Sequence, residues 1–369
     1  MKVPFLDLRA SYLELKSEID EAVARVLNSG WYVLGEEVEA FEEVFADYCG
    51  ARHAVGLANG LDALHLALRA MGIGDGDEVI VPSNAYIATW LGVTQSGARP
   101  VPVEPVAGTH NLDPDLIEAA ITPKTRAIMA LHLYGLPADL DPILAIARRH
   151  GLRVVEDAAQ AHGARYRGTR IGHHGDVVAW SFYPSKNLGA LGDAGAITTD
   201  DPVLAEKIRV LRNYGSERRY VNRVQGYNSR LDPMQAAVLR VKLPLLDAWN
   251  ARRAASTALY RSRLADAPSM ILPVEPEGCT SAWHVFVVRH PDRARLQDAC
   301  ARNGIGTIVH YPIPPHMQEA YASHGWSPND FPLARQLADE VLSLPIGPQT
   351  PASAIEYVCE TILDELSAR

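Results

Sequence analysis

Cysteine is scarce in this chain and scattered. Its four cysteines, Cys49, Cys279, Cys300 and Cys359, form no CxxC pair. That spacing gives neither the paired ligands of a structural zinc site nor the dense framework of a disulfide-stapled secreted domain. None has a histidine beside it in sequence, so all four read as small apolar filler. His173 and His174 are adjacent in a polar stretch and tend to point apart, which suits solvent better than a metal. Long apolar runs are missing too. No uninterrupted stretch approaches the roughly 18 residues of a membrane span, and the opening MKVPFLDLRA, broken by Pro4 and Asp7, reads as no secretory segment. Positive charge is not in excess. With 35 Lys+Arg against 44 Asp+Glu the formal net charge is −9, a balance that counts against nucleic acid or an anionic membrane as the main partner. Gly/Ser-rich linkers, internal repeats and low-complexity tracts are also lacking. What remains, 47% apolar and 21% charged residues over 369 positions, is the make-up of a globular protein large enough for two domains. The expectation is a cytoplasmic enzyme that uses no metal.

From residue 54 to 200, short apolar runs alternate with longer amphipathic ones. Strands are expected at 53–58, 77–82, 98–104, 125–132, 152–157, 176–183 and 195–200, with helix-like segments at 61–71, 85–96, 113–120 and 139–149. The strands are β-branched and apolar almost throughout, as in a sheet covered on both faces. Such alternation predicts an α/β fold with a mostly parallel sheet, mixed at the end where the last strands crowd together. A helix over 201–213, a polar loop over 215–230 and a helical region over 232–265 containing Pro244 follow. Beyond these, WHVFVVRH (283–290), a helix-like 293–303 and GTIVHYP (306–312) suggest a small α+β C-terminal domain. The boundary is expected at 245, giving domains of 1–245 and 246–369.

Three features of the first domain point to chemistry. In ANGLDALHLAL (58–68), Asn59 and Gly60 form a turn between a strand and a helix, and backbone N–H groups at such a helix start can hold a phosphate. In VVEDAAQAHGA (154–164), Glu156, Asp157 and Gln160 sit at the end of a very apolar strand, where a carboxylate serves either as a helix N-cap or as the partner of a cationic heterocycle. In SFYPSKNLGALGDAGAI (181–197), Ser181 lies five residues before Lys186. All three fall at the carboxyl ends of strands, where open α/β sheets bind ligands. A phosphate cradle, a carboxylate for a ring nitrogen and an amine together describe a pyridoxal 5'-phosphate site. There a buried lysine is tolerable because burial lowers its pKa and readies it as a nucleophile.

These strings, with RNYGS (212–216), GYNSRLDPMQAAVLRVKL (226–243) and HYPIPPH (310–316), resemble the DegT/DnrJ/EryC1 family of sugar aminotransferases, and the likeness runs from PFLDL at residue 4 to LSLPIGP at 342. The resemblance implies the aspartate aminotransferase type of fold (fold type I) and a homodimer with shared active sites. It implies Lys186 as the Schiff-base lysine and general base, Asp157 on the pyridine nitrogen and Gln160 near the ring hydroxyl. It further implies Gly60, Leu61 and Ser181 on the phosphate, Tyr86 stacked on the ring, and Asn228 reaching the phosphate of the neighbouring subunit. The activity implied is transfer of an amino group from an amino acid, L-glutamate being typical, to C3 of a 3-keto-6-deoxyhexose on thymidine diphosphate (dTDP). The alternatives are C4 amination of a 4-keto sugar or a non-catalytic regulatory protein of the same fold. Tyr183, His310, Tyr311 and His316 are the candidate sugar or diphosphate contacts, and Arg212, Arg218, Arg219 and Arg230 are candidate diphosphate ligands.

Overall fold

The computed structural model describes residues 1–367. Seven strands form one central sheet: β1 (His53–Leu57), β2 (Glu78–Pro82), β3 (Arg99–Val103), β4 (Thr125–Leu131), β5 (Arg153–Asp157), β6 (Val177–Ser181) and β7 (Gly195–Thr199). All seven coincide with expected segments. Their order is β1-β7-β6-β5-β4-β2-β3. The pairs from β3 through β6 are parallel, whereas β7 runs antiparallel to both neighbours. The mixed end anticipated from the crowding of the last strands is therefore β7 alone.

Consecutive side chains on these strands enter different cores, as the two-residue strand period requires. Ile80, Ile128, Val154, Val178 and Trp180 join Phe41 and Phe45 on one face. Val79, Val81, Met129, Val155, Ala179 and Ile197 pack on the other, against helices α1 (Gly60–Ala70), α2 (Ile87–Ser96) and α3 (Pro202–Arg212). Both faces are dry, which is why the strands read as unbroken apolar runs rather than alternating ones. A third core gathers Tyr260, Leu264, Phe286, Val288, Leu296, Leu342, Leu344, Ile355, Val358 and Ile362, and Val3 of the N-terminus joins it.

Three segments depart from expectation. The helical region 232–265 is two helices, α4 (Pro233–Lys242) and α5 (Leu246–Leu264), separated by a 3-10 turn at Leu243–Leu245. Pro244 within that turn cannot donate to a continuing α-ladder. The loop 215–230 contains a short hairpin, Ser216–Arg218 with Val221–Asn222. GTIVHYP forms no strand and makes a single bridge, Ile308 to Ser343, because Pro312 at its end and Pro314 and Pro315 just beyond cannot extend a ladder.

Candidate active site

Register brings the carboxyl ends of three strands together. Gly195, the first residue of β7, lies opposite Leu57 on one side and Ser181 on the other. A side chain at Gly195 would collide with the Asn59 carbonyl, so glycine lets the strand abut the turn that starts α1. Asn59 caps that helix, its Oδ1 accepting the Asp62 N–H at 2.8 Å. The N–H groups of Gly60 and Leu61, ahead of the first intrahelical bond, find no acceptor among the described residues. A Cβ on Gly60 would lie 2.6 Å from Ser181 Cβ, so the Ser181 side chain sits directly against the open end of α1. Two free amides, a hydroxyl and the positive end of an eleven-residue helix form a ready anion cradle.

Asp157 ends β5 opposite Ala179 of β6, two residues before Ser181. Its carboxyl is 4% exposed and accepts the Thr89 hydroxyl at 2.8 Å and the Ala159 N–H at 3.2 Å. Burial nevertheless pushes its pKa up, outweighing those bonds and the charges of Lys186 and His132. Such a carboxyl gains from a cation that shares its pocket. The adjacent Glu156 points the other way: His132 accepts the Ala138 N–H at Nδ1, so its proton is on Nε2 and is donated to Glu156 at 2.9 Å. Glu156 is thus engaged within the core, whereas the Asp157 carboxyl feels the charge of Lys186.

Gln160 accepts the Tyr134 N–H at 2.6 Å and donates to the Tyr311 hydroxyl at 3.0 Å. The Tyr311 ring lies 4.9 Å from that of Tyr86, tilted by 33°, and Tyr86 presents its exposed ring at the start of α2. The Tyr134 hydroxyl donates to the His310 carbonyl, and the His310 ring is bonded through Nδ1 to Ser343 Oγ at 2.7 Å. Burial and the nearby Lys186 charge push His310 down to about 4, so its imidazole is neutral at physiological pH.

Lys186 sits in a tight loop after β6, its N–H donating to the Tyr183 carbonyl at 2.8 Å. Its Nζ makes no hydrogen bond or ion pair among the described residues. Burial pushes the ammonium down to about 8, with Asp157 opposing the shift. A tenth or so of the amine is therefore neutral near pH 7, against roughly a few ten-thousandths for an ordinary lysine.

The remaining expected residues scatter. Tyr183 is exposed beside the lysine loop. His316 is 3% exposed and packs on Phe331 at 5.0 Å, with both ring nitrogens lacking partners among the described residues. Asn228 is exposed, and its backbone bridges Asn213. Arg212 departs from expectation: its guanidinium is buried and its charge is already paired, Nη1 donating to Glu42 and to the Gly56 carbonyl. Arg230 donates to Asn213 at 3.0 Å, while Arg218 and Arg219 lie exposed on the hairpin. Thr89, Tyr134, Asn187 and His284 were absent from the expected set. Thr89 alone carried a signal, standing one helical turn after Tyr86 and so on the same face. A surface cavity of about 910 Å³ lined by Arg69, Lys207 and Arg223 lies at the other end of α1, roughly 16 Å from the anion cradle, and is a separate feature.

The chain is similar to proteins already known. The chain is 57% identical to the erythromycin biosynthesis sensory transduction protein EryC1 of Saccharopolyspora erythraea, over 98% of this chain and 99% of the relative. It is 56% identical to a dTDP-3-amino-3,4,6-trideoxy-alpha-D-glucose transaminase of Streptomyces venezuelae, over 94% and 92%. The crystal structure of S. venezuelae DesV in complex with a ketimine intermediate superposes with a TM-score of 0.98 at 54% identity, covering 100% of this chain and 99% of that one. Solved structures of other similar chains hold pyridoxamine phosphate. Residues 13–363 match the model of the DegT/DnrJ/EryC1/StrS aminotransferase family. The fold is that of the fold type I enzymes, and the chain belongs to this family of pyridoxal phosphate-dependent aminotransferases.

Proposed function

We propose that the protein transfers the amino group of an amino acid, L-glutamate in the first instance, to C3 of a dTDP-linked 3-keto-6-deoxyhexose, giving a dTDP-3-amino-3,6-dideoxyhexose. The observation that carries the reading is the convergence of an unpaired, depressed Lys186, a buried Asp157 and the open amides of Gly60 and Leu61 at one sheet end. The choice of C3 and dTDP is supported by the similarity to the S. venezuelae transaminase.

When bound, pyridoxal phosphate supplies an aldehyde that accepts the donor's amino group and a protonated ring that draws electrons from the substrate carbon. The chain's residues do the rest. Gly60 and Leu61 N–H groups and the Ser181 hydroxyl would hold the phosphate. Asp157, kept in place by Thr89 and Ala159, would hold the proton on the ring nitrogen, and that cation would bring the carboxyl back to its ionised form. Gln160, fixed by Tyr134 and Tyr311, would face the ring hydroxyl, and Tyr86 would cover the ring face. Lys186, neutral at Nζ in a useful fraction, would take a proton from the donor's carbon and return it two atoms away, beyond the shared nitrogen, then repeat the transfer in reverse for the sugar. Tyr183, the neutral His310 and Tyr311 border this space and would contact the sugar. His316, enclosed by Phe331, would act from behind them.

Asn228 is exposed on its own chain, as are Tyr214 and Tyr220 around it. This supports a homodimer in which Asn228 reaches the partner's phosphate cradle. Residues 1–245 would then carry the cofactor and 246–369 the second domain. No helix among the described residues is long and apolar enough to cross a membrane, which is compatible with work in the cytoplasm. A regulatory role is the second reading, because one relative is called a sensory transduction protein. The presence of Lys186, Asp157 and Gln160 together favours the enzyme. The test is incubation with L-glutamate and either dTDP-3-keto- or dTDP-4-keto-6-deoxyhexose, with the product's position read by NMR. A C3 amine supports the proposal, a C4 amine moves the site of transfer, and no amine from either sugar overturns it.

A further inference from the structure

A second lysine, itself buried, bonds the loop that carries the first. Lys242, the last residue of α4, is 5% exposed, and its Nζ donates to the Gly189 carbonyl at 2.6 Å. Burial alone pushes this ammonium down to about 8, and no carboxylate offsets the shift. An apolar residue of the same length would avoid that desolvation cost, so stability does not explain a lysine here.

Its partner does. Gly189 belongs to the loop that carries Lys186, and it packs so closely on Pro184 that a Cβ would collide with the Pro184 carbonyl. The Ala190 N–H closes the same loop on the Phe182 carbonyl at 2.8 Å. Two turns before Lys242, on the same face of α4, Gln235 accepts the Leu191 N–H at 2.8 Å. From the other side, the Asn187 amide donates to Asn250 at 2.8 Å and to the Ala282 carbonyl at 2.7 Å, and its oxygen faces His284 Nδ1 at 3.0 Å. The loop is thus held at residues 187, 189 and 191, while the Lys186 side chain immediately before these anchors makes no hydrogen bond among the described residues.

We propose that Lys242 is a positioning residue for Lys186: its buried ammonium holds the Gly189 carbonyl, fixes the loop and so sets the aim of the Lys186 amine, at a cost to stability. The proposal rests on Lys186 being the cofactor-bonded lysine. Its test is Lys242→Met, a change that removes the charge and keeps the length, studied in the protein loaded with pyridoxal phosphate. The thermal midpoint should stay level or rise. The pH midpoint of the bound chromophore's absorbance should shift by roughly half a unit or more. The first half-reaction with L-glutamate should slow roughly 10- to 100-fold, the penalty of a misplaced reacting group. A fall in thermal midpoint with an unmoved chromophore would mark Lys242 as structural and overturn the proposal, as would an unchanged spectrum and rate. Should Lys242→Met not fold, Gln235→Met releases the neighbouring tether and is expected to shift the chromophore in the same way; an unmoved chromophore there overturns the proposal. The chromophore's midpoint is read without substrate, so the role of Lys242 is decided even if L-glutamate proves not to be the donor.

Discussion

Replacing Gly60 by alanine tests the anion cradle with a single methyl group. The added Cβ would stand 2.6 Å from Ser181 Cβ and 3.1 Å from its Cα, where carbon atoms at rest are about 3.5–4.0 Å apart. Backbone lies on both sides, so relief requires α1 and β6 to separate by roughly 1 Å, and overpacking of this kind costs about 1–3 kcal/mol. The strain falls where the Gly60 and Leu61 amides and the Ser181 hydroxyl must converge on one phosphate. If it is released in the cofactor-free protein and reimposed on binding, affinity for pyridoxal phosphate should drop roughly 5- to 150-fold. The assay is titration of the cofactor-free protein followed by absorbance, with thermal unfolding alongside. Gly108→Ala is the control, because its nearest neighbour would be Val274 at 3.9 Å. Unchanged affinity together with an unchanged thermal midpoint in Gly60→Ala would refute the packing argument. A lower midpoint with unchanged affinity would remove the phosphate from this end of α1.

The other predictions draw on separate parts of the molecule. Because burial lowers Lys186 from its ordinary 10.5 to about 8, its neutral fraction grows with pH and saturates above about 8. Capture of pyridoxal phosphate by the cofactor-free protein should accelerate up to that pH and then level off; acceleration continuing towards 10.5 would contradict the shift. Arg212→Met strands the buried Glu42 carboxylate with only the Gly56 N–H at 2.8 Å. It should cost about 3–5 kcal/mol in urea unfolding, and a loss below about 1 kcal/mol would place the pair with ordinary surface bridges. Mixing Lys186→Ala and Asn228→Ala chains should restore part of the activity that each lacks, since one site of the heterodimer would be intact; activity no greater than either parent would argue against sites shared between subunits.

What could be read from the sequence follows the strength of the local signal. The central strands were legible because both faces are buried and β-branched runs such as EVIVP and RVVED have little alternative. Asp157, Ser181 and Gly60 stood out because each ends a strand or starts a helix, and Lys186 because it follows Ser181 by five residues, at the sheet end where an open sheet collects its ligands. The segment 306–312 misled through its β-branched start, since prolines further on decide its path. Arg212 misled because charge in a polar neighbourhood suggests solvent, while its partner Glu42 lies 170 residues away. Helices Lys16–Ser29 and Glu36–Cys49 lay outside the alternation that organised the expectation, although Ile19, Ala22 and Val26 and then Val38, Phe41, Phe45 and Cys49 recur at helical spacing. Lys242 carried no local signal, because its partner is a backbone carbonyl 53 residues earlier.

On this reading Lys186 performs amino transfer on a cofactor held by Asp157 and the start of α1. The decisive experiment is the absorbance spectrum of the pyridoxal phosphate-loaded protein before and after L-glutamate, in wild type and Lys186→Ala, with 2-oxoglutarate assayed in the same samples. The wild-type band at the visible edge should convert to the amine form as 2-oxoglutarate appears, and Lys186→Ala should do neither at a comparable rate. Equal conversion in the two proteins, or a wild-type chain that acquires no such band when pyridoxal phosphate is supplied, would contradict it.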